Sequence, residues 1–323
     1  MSECFTPVSL VLLALTVLAP ASGLAMTCAT RDGGQVESRL SPESVAIPAG
    51  VADGTVVWRS RRIDVPLACH RDGPGGEEEI VLHLNPDRVA AGTGVEIGLT
   101  LDGADHRRQS GILHTGVRAP ACERNAECPS AFFNLAFSVF VEKRGETPYS
   151  GKASDQPDYR LFQVGGASGP SLPGASFSYL FGNLAALRFI ACEASLRVVP
   201  ETVSFGEVAI AQVSVGSVID SRPFALETRR DCESPFSLDA RFRPVTGNLV
   251  GDVLVPVRNP GVGIRLRPAD SEQALRYNEP FALSELHRTT DARREFLAEL
   301  LWQAANPRPG PFEAEVMIDL FYK

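Results

Sequence analysis

The side chains best able to move protons near neutral pH are the five histidines, His70, His83, His106, His114 and His287. None stands in an HExxH pair, the helical spacing that holds zinc beside a general base. Ser168 lies in GASG, which is not the GxSxG elbow that presents a hydrolase nucleophile. Asp102, Asp105 and His106 in LDGADH could hold a cation, but a DG pair between alternating residues reads first as a hairpin turn. The 39 acidic residues show no spacing that singles out an acid–base pair. This reading gives no enzyme, no metal site and no cofactor. Two segments offer binding chemistry instead. Arg107 and Arg108 follow a strand-like run and present fixed guanidinium donors to carboxylate, sulfate or sugar hydroxyls. Tyr149, Asp155, Asp158 and Tyr159 lie in a turn-rich stretch that pairs aromatic faces with hydroxyl acceptors, the combination that suits carbohydrate. A third basic run, Arg59, Arg61 and Arg62, reads as a solvated strand edge.

The elements that must position these residues are strands. EEIVLHL, VEIGLTL, FFNLAFSVFVEK, YRLFQV and SFSYLF alternate or are rich in β-branched and aromatic residues. DGPGG, RGETP and GGASGPSLPG punctuate them as turns, in keeping with 28 Gly and 24 Pro. No amphipathic helix stands out. Many short strands with such turns imply an all-β chain of sandwich domains, and 323 residues are enough for two. The net charge of −8 argues against nucleic acid as a general partner. At the N-terminus, VSLVLLALTVLAPASGLA is an apolar run shorter than the roughly 20 residues of a spanning helix. It reads as a secretory signal over residues 1–25, cleaved after Ala25, with no membrane span afterwards.

The last stretch, GPFEAEVMIDLFYK, alternates most clearly. Phe312, Ala314, Val316, Ile318, Leu320 and Tyr322 share one face; Glu313, Glu315, Asp319 and Lys323 fall on the other with Met317 and Phe321. A strand that ends here has no successor in the chain to pair with its outer edge, an aggregation hazard unless another chain covers it. With Gly310 fourteenth from the end and Tyr322 penultimate, the stretch resembles the C-terminal motif of fimbrial subunits of the chaperone–usher pathway. Further upstream, Cys192, Val203–Val208, Phe224–Leu226, Cys232 and Gly261–Leu266 match that family's pattern in order. The N-terminal half resembles, less specifically, the receptor-binding domains of two-domain tip adhesins of the type 1 and type 3 fimbrial kind.

The resemblance implies two β-sandwich domains. Residues 26–188 would be a lectin-like receptor-binding domain and 189–191 a linker. Residues 192–323 would be an incomplete immunoglobulin-like pilin domain lacking its last strand. Gly310, Phe312, Ala314, Val316, Ile318, Leu320, Tyr322 and Lys323 would form the face offered to a periplasmic chaperone and then to a neighbouring subunit's donor strand. An outer-membrane usher and a host glycan or matrix protein are the other implied partners. Only Met26 and Thr27 precede Cys28 after the signal, so the subunit is expected to accept a strand and not donate one, which implies a place at the fimbrial tip on the cell surface. The alternatives are a structural tip or assembly-initiating subunit without a receptor, and an exported β-sandwich hydrolase.

Of seven cysteines, Cys4 leaves with the signal, and six in an exported chain suggest disulfides, with fifteen possible pairings. The spacings favour Cys28–Cys69 and Cys192–Cys232, each roughly forty residues apart, with Cys122–Cys128 as a local loop. In the chain-entropy account a loop of that length is worth roughly 4 kcal/mol.

Overall fold

A computed structural model describes residues 26–210, 213–286 and 289–323; the expected signal segment lies outside the described residues. Apart from one three-residue 3₁₀ turn at Leu184–Ala186, every regular element described is a β-strand. No helix among the described residues is long and apolar enough to cross a membrane.

The N-terminal unit opposes two mostly antiparallel sheets. One runs Met26–Thr30, Ile63–Arg71, Ala131–Lys143, Val95–Leu101 and Ala104–His106, with Val56–Arg59 paired to the far end of Ala131–Lys143. The other runs Glu37–Leu40, Ser178–Gly182, Asp158–Gly166, Glu78–Leu84 and Gly111–Ala119. Alternate residues of Ile63–Arg71 (Val65, Leu67, Cys69) point inward, as a half-buried strand requires. The rings of Phe137, Phe162 and Tyr179 meet between the sheets at centroid distances of 4.8–5.6 Å. Gly98 lets the long strand's Phe140 lie flat on its neighbour, because a Cβ there would sit 2.3 Å from that ring.

The C-terminal unit also has two sheets. Ala194–Val199, Val218–Arg230, Asp291–Trp302, Val262–Pro268, Val253–Val255 and Asn248–Val250 form the first; Phe281–Leu286, Phe236–Pro244 and Val316–Tyr322 form the second. Phe224, Phe242, Phe281 and Phe296 pack between them with centroids 5.2–6.2 Å apart.

Between the units stands a short parallel pair, Val45–Pro48 against Leu187–Ile190. It is a partition. Val45, Ile47, Leu187 and Phe189 pack into the N-terminal core, whereas Ala46 and Ile190 pack into the C-terminal one. Period-two geometry sends successive side chains to opposite faces, so one strand can serve two cores. Residues 189 and 190, expected to lie in a linker, are therefore buried strand residues. Arg188 Nη2 adds a hydrogen bond to the Pro235 carbonyl at 2.6 Å, across the boundary.

Disulfides join Cys28 to Cys69 between adjacent strands, Cys122 to Cys128, and Cys192 to Cys232. Non-reducing peptide mapping of the purified protein is expected to recover these three linked pairs. Replacing Cys192 and Cys232 together with Ala is expected to lower stability by about 2–5 kcal/mol, read as a fall in thermal midpoint. A peptide linking Cys69 to Cys192 would contradict the arrangement.

Candidate strand-acceptor site

Within the C-terminal unit, the terminal strand Val316–Tyr322 pairs on one side only. Its partner is Phe236–Pro244, in register from Pro244 opposite Val316 to Leu238 opposite Tyr322. On its other side no strand follows among the described residues. The sequence predicts one strand through Gly310–Lys323. The structure pairs only its second half: the Glu315 carbonyl still accepts the Val245 N–H at 2.8 Å, whereas residues 311–314 make no backbone hydrogen bond among the described residues. Alternation nonetheless continues through them: Phe312, Ala314, Val316 and Ile318 are half-buried, with Glu313, Glu315 and Met317 exposed between.

Facing this ladder is the irregular segment 202–210. Phe205 is buried there, and Val203 and Val208 are half-buried against the same core. Among the described residues, no backbone hydrogen bond joins 203–210 to 311–314. The gap is an open cleft of about 990 Å³, floored by Trp302, Val262 and Ile264 and narrowed at one end where Phe205 and Phe312 stand 6.2 Å apart.

Three side chains hold the terminal segment in place. Asn259 donates its Nδ2 to the carbonyls of Arg308 (3.3 Å) and Gly310 (3.1 Å), pinning the approach to the ladder. Tyr322 is buried beside Phe236, and its hydroxyl accepts the Ala194 N–H at 3.1 Å. That bond ties the last strand to the first strand of the opposite sheet, and burial raises the phenol's pKa. Lys323 Nζ meets Asp239 at 2.5 Å, so its charge secures the strand's end.

Residues 185–323, which contain this whole arrangement, match the family model described as fimbrial protein. Residues 185–323 form a fimbrial subunit domain. The matched family is structural and adhesive rather than enzymatic, which removes the exported hydrolase considered from the sequence. Among solved structures, the chain is similar to the P pilus rod subunit PapA (15% identity, 41% of this chain and 99% of that one, TM-score 0.33). It is also similar to the CupB6 tip adhesin from Pseudomonas aeruginosa (14%, 92% and 93%, 0.34). A third is the CsuC–CsuE chaperone–tip adhesion subunit pre-assembly complex of Acinetobacter baumannii (10%, 91% and 100%, 0.26).

The opposite face of the fimbrial domain's terminal strand is covered by the N-terminal unit. Phe321, which period two places on the outer polar face, is only 1% exposed. The physical reason is domain contact: the strand packs beside Val56–Arg59, and Arg241 lies over the Phe321 ring at 5.4 Å. Around it runs an ionic cluster. Arg241 and Arg243 both reach Asp319, at 2.6 and 3.3 Å. Across the junction, buried Arg59 forks onto Asp105 at 2.9 and 2.7 Å. Burial and the facing Arg59 charge pull the Arg241 guanidinium below its ordinary pKa, with Asp319 opposing.

The residues read from sequence as receptor candidates do not gather in one place. Arg107 sits at this junction, its Nε donating to the buried Glu142 carboxylate at 2.5 Å. Arg108 is exposed beside it. Tyr149 and Asp155 are exposed on the 144–157 stretch, with Asp155 4.0 Å from Lys152. Asp158 pairs with Arg39 at 3.1 Å. Tyr159 is 1% exposed and donates its hydroxyl to Gln109 Oε1 at 3.2 Å, so its ring is core and not a platform for a sugar. Asp105, a cation candidate in the sequence, is occupied by Arg59 and the Thr100 hydroxyl. Sequence reasoning missed Asn259 and Phe205; the latter lies in the VSFGEV segment that carried the resemblance.

Arg107→Ala is expected to destabilise the chain by about 1–3 kcal/mol, because Glu142 would be left buried without a hydrogen-bonded partner. Its Oε1 already has none among the described residues. An unchanged thermal midpoint would show the contact to be idle. Burial alone would raise the Asp105 pKa, but Arg59 and Thr100 outweigh it and hold it below the usual carboxylate value. A depressed folded pKa contributes stability above the unfolded pKa of about 3.9 and loses it as pH falls through the folded value. Asp105→Asn is therefore expected to lose stability at pH 7 and to show a shallower decline below about pH 4 in thermal melts.

Proposed function

We propose that this protein is a two-domain fimbrial tip adhesin of the chaperone–usher pathway, exported to the cell surface. Its N-terminal unit would bind a host glycan or extracellular-matrix protein without catalysis. Its fimbrial domain would be completed first by a periplasmic chaperone, released at an outer-membrane usher, and then completed by the neighbouring subunit's donor strand. The observation that carries the reading is the half-paired terminal strand facing an unpaired segment across an apolar cleft, inside a domain that matches the fimbrial family.

An added strand can do two things there. Its backbone satisfies the free edge of Val316–Tyr322, and its alternate side chains fill the slot over Trp302 and Val262. Gly310, Phe312, Ala314, Val316, Ile318 and Leu320 are the residues it would meet. Placement at the tip is supported by the N-terminal strand. Met26–Thr30 is committed to the Ile63–Arg71 strand, with Met26 buried, so those residues are not free to complete another subunit.

Burying four or five apolar donor side chains could contribute about 1.5–3 kcal/mol each, comparable to a domain's net stability of about 5–15 kcal/mol. The chain alone is expected to aggregate, and to become soluble with a co-expressed fimbrial chaperone or a donor-strand peptide fused after Lys323. Replacing Val316 and Ile318 with Asp is expected to abolish both rescues, since the charges would face the C-terminal core. A monomeric, cooperatively folding chain with no partner would sink the strand-acceptor reading. Attachment of piliated cells to epithelial or matrix-coated surfaces, lost on deleting residues 26–188, tests receptor binding against a purely structural tip subunit.

A further inference from the structure

The N-terminal unit holds an open cavity of about 880 Å³, away from the strand cleft and the domain junction. It lies where the 85–95 loop bends over the ends of the Glu78–Leu84 and Gly111–Ala119 strands. Its volume falls in the range of small-ligand sites. None of the receptor candidates read from the sequence lines it.

The cavity has a built frame. Asn85 is buried with φ 40°, a left-handed conformation that Asn adopts more readily than other non-glycine residues. Its side chain holds the turn: Nδ2 donates to the carbonyls of Val89 (2.8 Å) and Gln109 (3.1 Å), and Oδ1 accepts the Val89 N–H at 3.2 Å. Gln109 is fixed in turn by donating to the Ile97 carbonyl (3.2 Å) and accepting from buried Tyr159 (3.2 Å). The loop is held by side chains that leave their apolar neighbours in solvent. Val89 and Ile112, both 40% exposed, line the cavity.

Charge at the mouth is unbalanced. Arg88 has φ 55°, is exposed, and makes no side-chain hydrogen bond or ion pair among the described residues. Arg144 approaches carboxylates only loosely, Glu96 at 3.9 Å and Glu142 at 3.8 Å. Two guanidinium groups with donors to spare thus stand over an apolar wall, with Glu96 beside them as an acceptor. In a chain of net charge −8, this local excess of unpaired donors would favour an anion.

Resting on the adhesin reading, we propose that this cavity is the receptor pocket and that it takes an anion-bearing saccharide. The carboxylate or sulfate would pair with Arg88 and Arg144 through the planar fork that guanidinium offers to such groups. The sugar's apolar face would lie on Val89 and Ile112, and Glu96 would accept ring hydroxyls.

The test is isothermal titration of the full mature chain, kept soluble by a donor strand after Lys323 or by its chaperone. The probes are 3′-sialyllactose, a hyaluronan tetrasaccharide, 3′-sulfolactose and plain lactose. At least one anionic probe is expected to bind tenfold or more tightly than lactose, with affinity falling as salt rises; which one binds separates carboxylate from sulfate. Arg88→Ala with Arg144→Ala, and separately Ile112→Glu, are expected to cut that affinity at least tenfold with the thermal midpoint retained. Arg197→Ala, an exposed arginine of the fimbrial domain, is expected to leave it unchanged. Equal binding of lactose and the anionic probes, or no binding of any anionic probe, would overturn the proposal. So would anionic binding that survives both sets of replacements, which would leave the adhesin reading intact with its site elsewhere. That reading fails separately, if piliated cells attach equally well without residues 26–188.

Discussion

The structure depends on one unfinished edge. A strand inside a sandwich needs hydrogen-bond partners along both sides and cover over its inward face. Among the described residues Val316–Tyr322 has a partner strand on one side only, and the stretch before it, residues 311–314, has no backbone partner. The apolar residues of that stretch are consequently half-buried where a closed core would bury them fully. Asn259, Tyr322 and Lys323 keep the edge extended and in register. The slot is thus an open cleft with a fixed frame and not a collapsed remnant.

The same strand joins the two units. One face packs on the C-terminal core through Val316, Ile318 and Leu320, while Asp319 and Phe321 line the junction together with Arg241, Arg59 and Asp105. The Val45–Pro48 and Leu187–Ile190 partition adds a second contact, with each strand giving residues to both cores. The units are packed against one another through buried aromatic and ionic contacts, so a change along the terminal strand bears on both.

In the N-terminal unit most charged residues are consumed by structure. Arg59, Arg71 and Lys143 are nearly buried and each is paired, with Asp105, Glu78 and Asp53 respectively. Such pairs hold loops and strands in position, and removing one partner is costlier than the pair is stabilising. Against that background Arg88 is an exception, because its backbone is constrained while its guanidinium is left to solvent.

Period-two alternation with frequent Gly and Pro was sufficient to read an all-β chain, and the alternation of Phe312 to Leu320 recurs in the structure as one half-buried face. Those features were legible because they are local: a strand's own residues state which side chains share a face. What covers each face is not local. Phe321 reads as an outer residue and is buried because the other unit lies over it; Ile190 reads as a boundary and is core because a parallel neighbour more than a hundred residues earlier aligns it. Tyr159 and Arg107 read as binding groups, yet Gln109 and Glu142 claim them from elsewhere in the chain. The cavity at Arg88 and Ile112 had no sequence signal at all, since its wall and mouth come from separate strands and loops that only the folded sheets bring together.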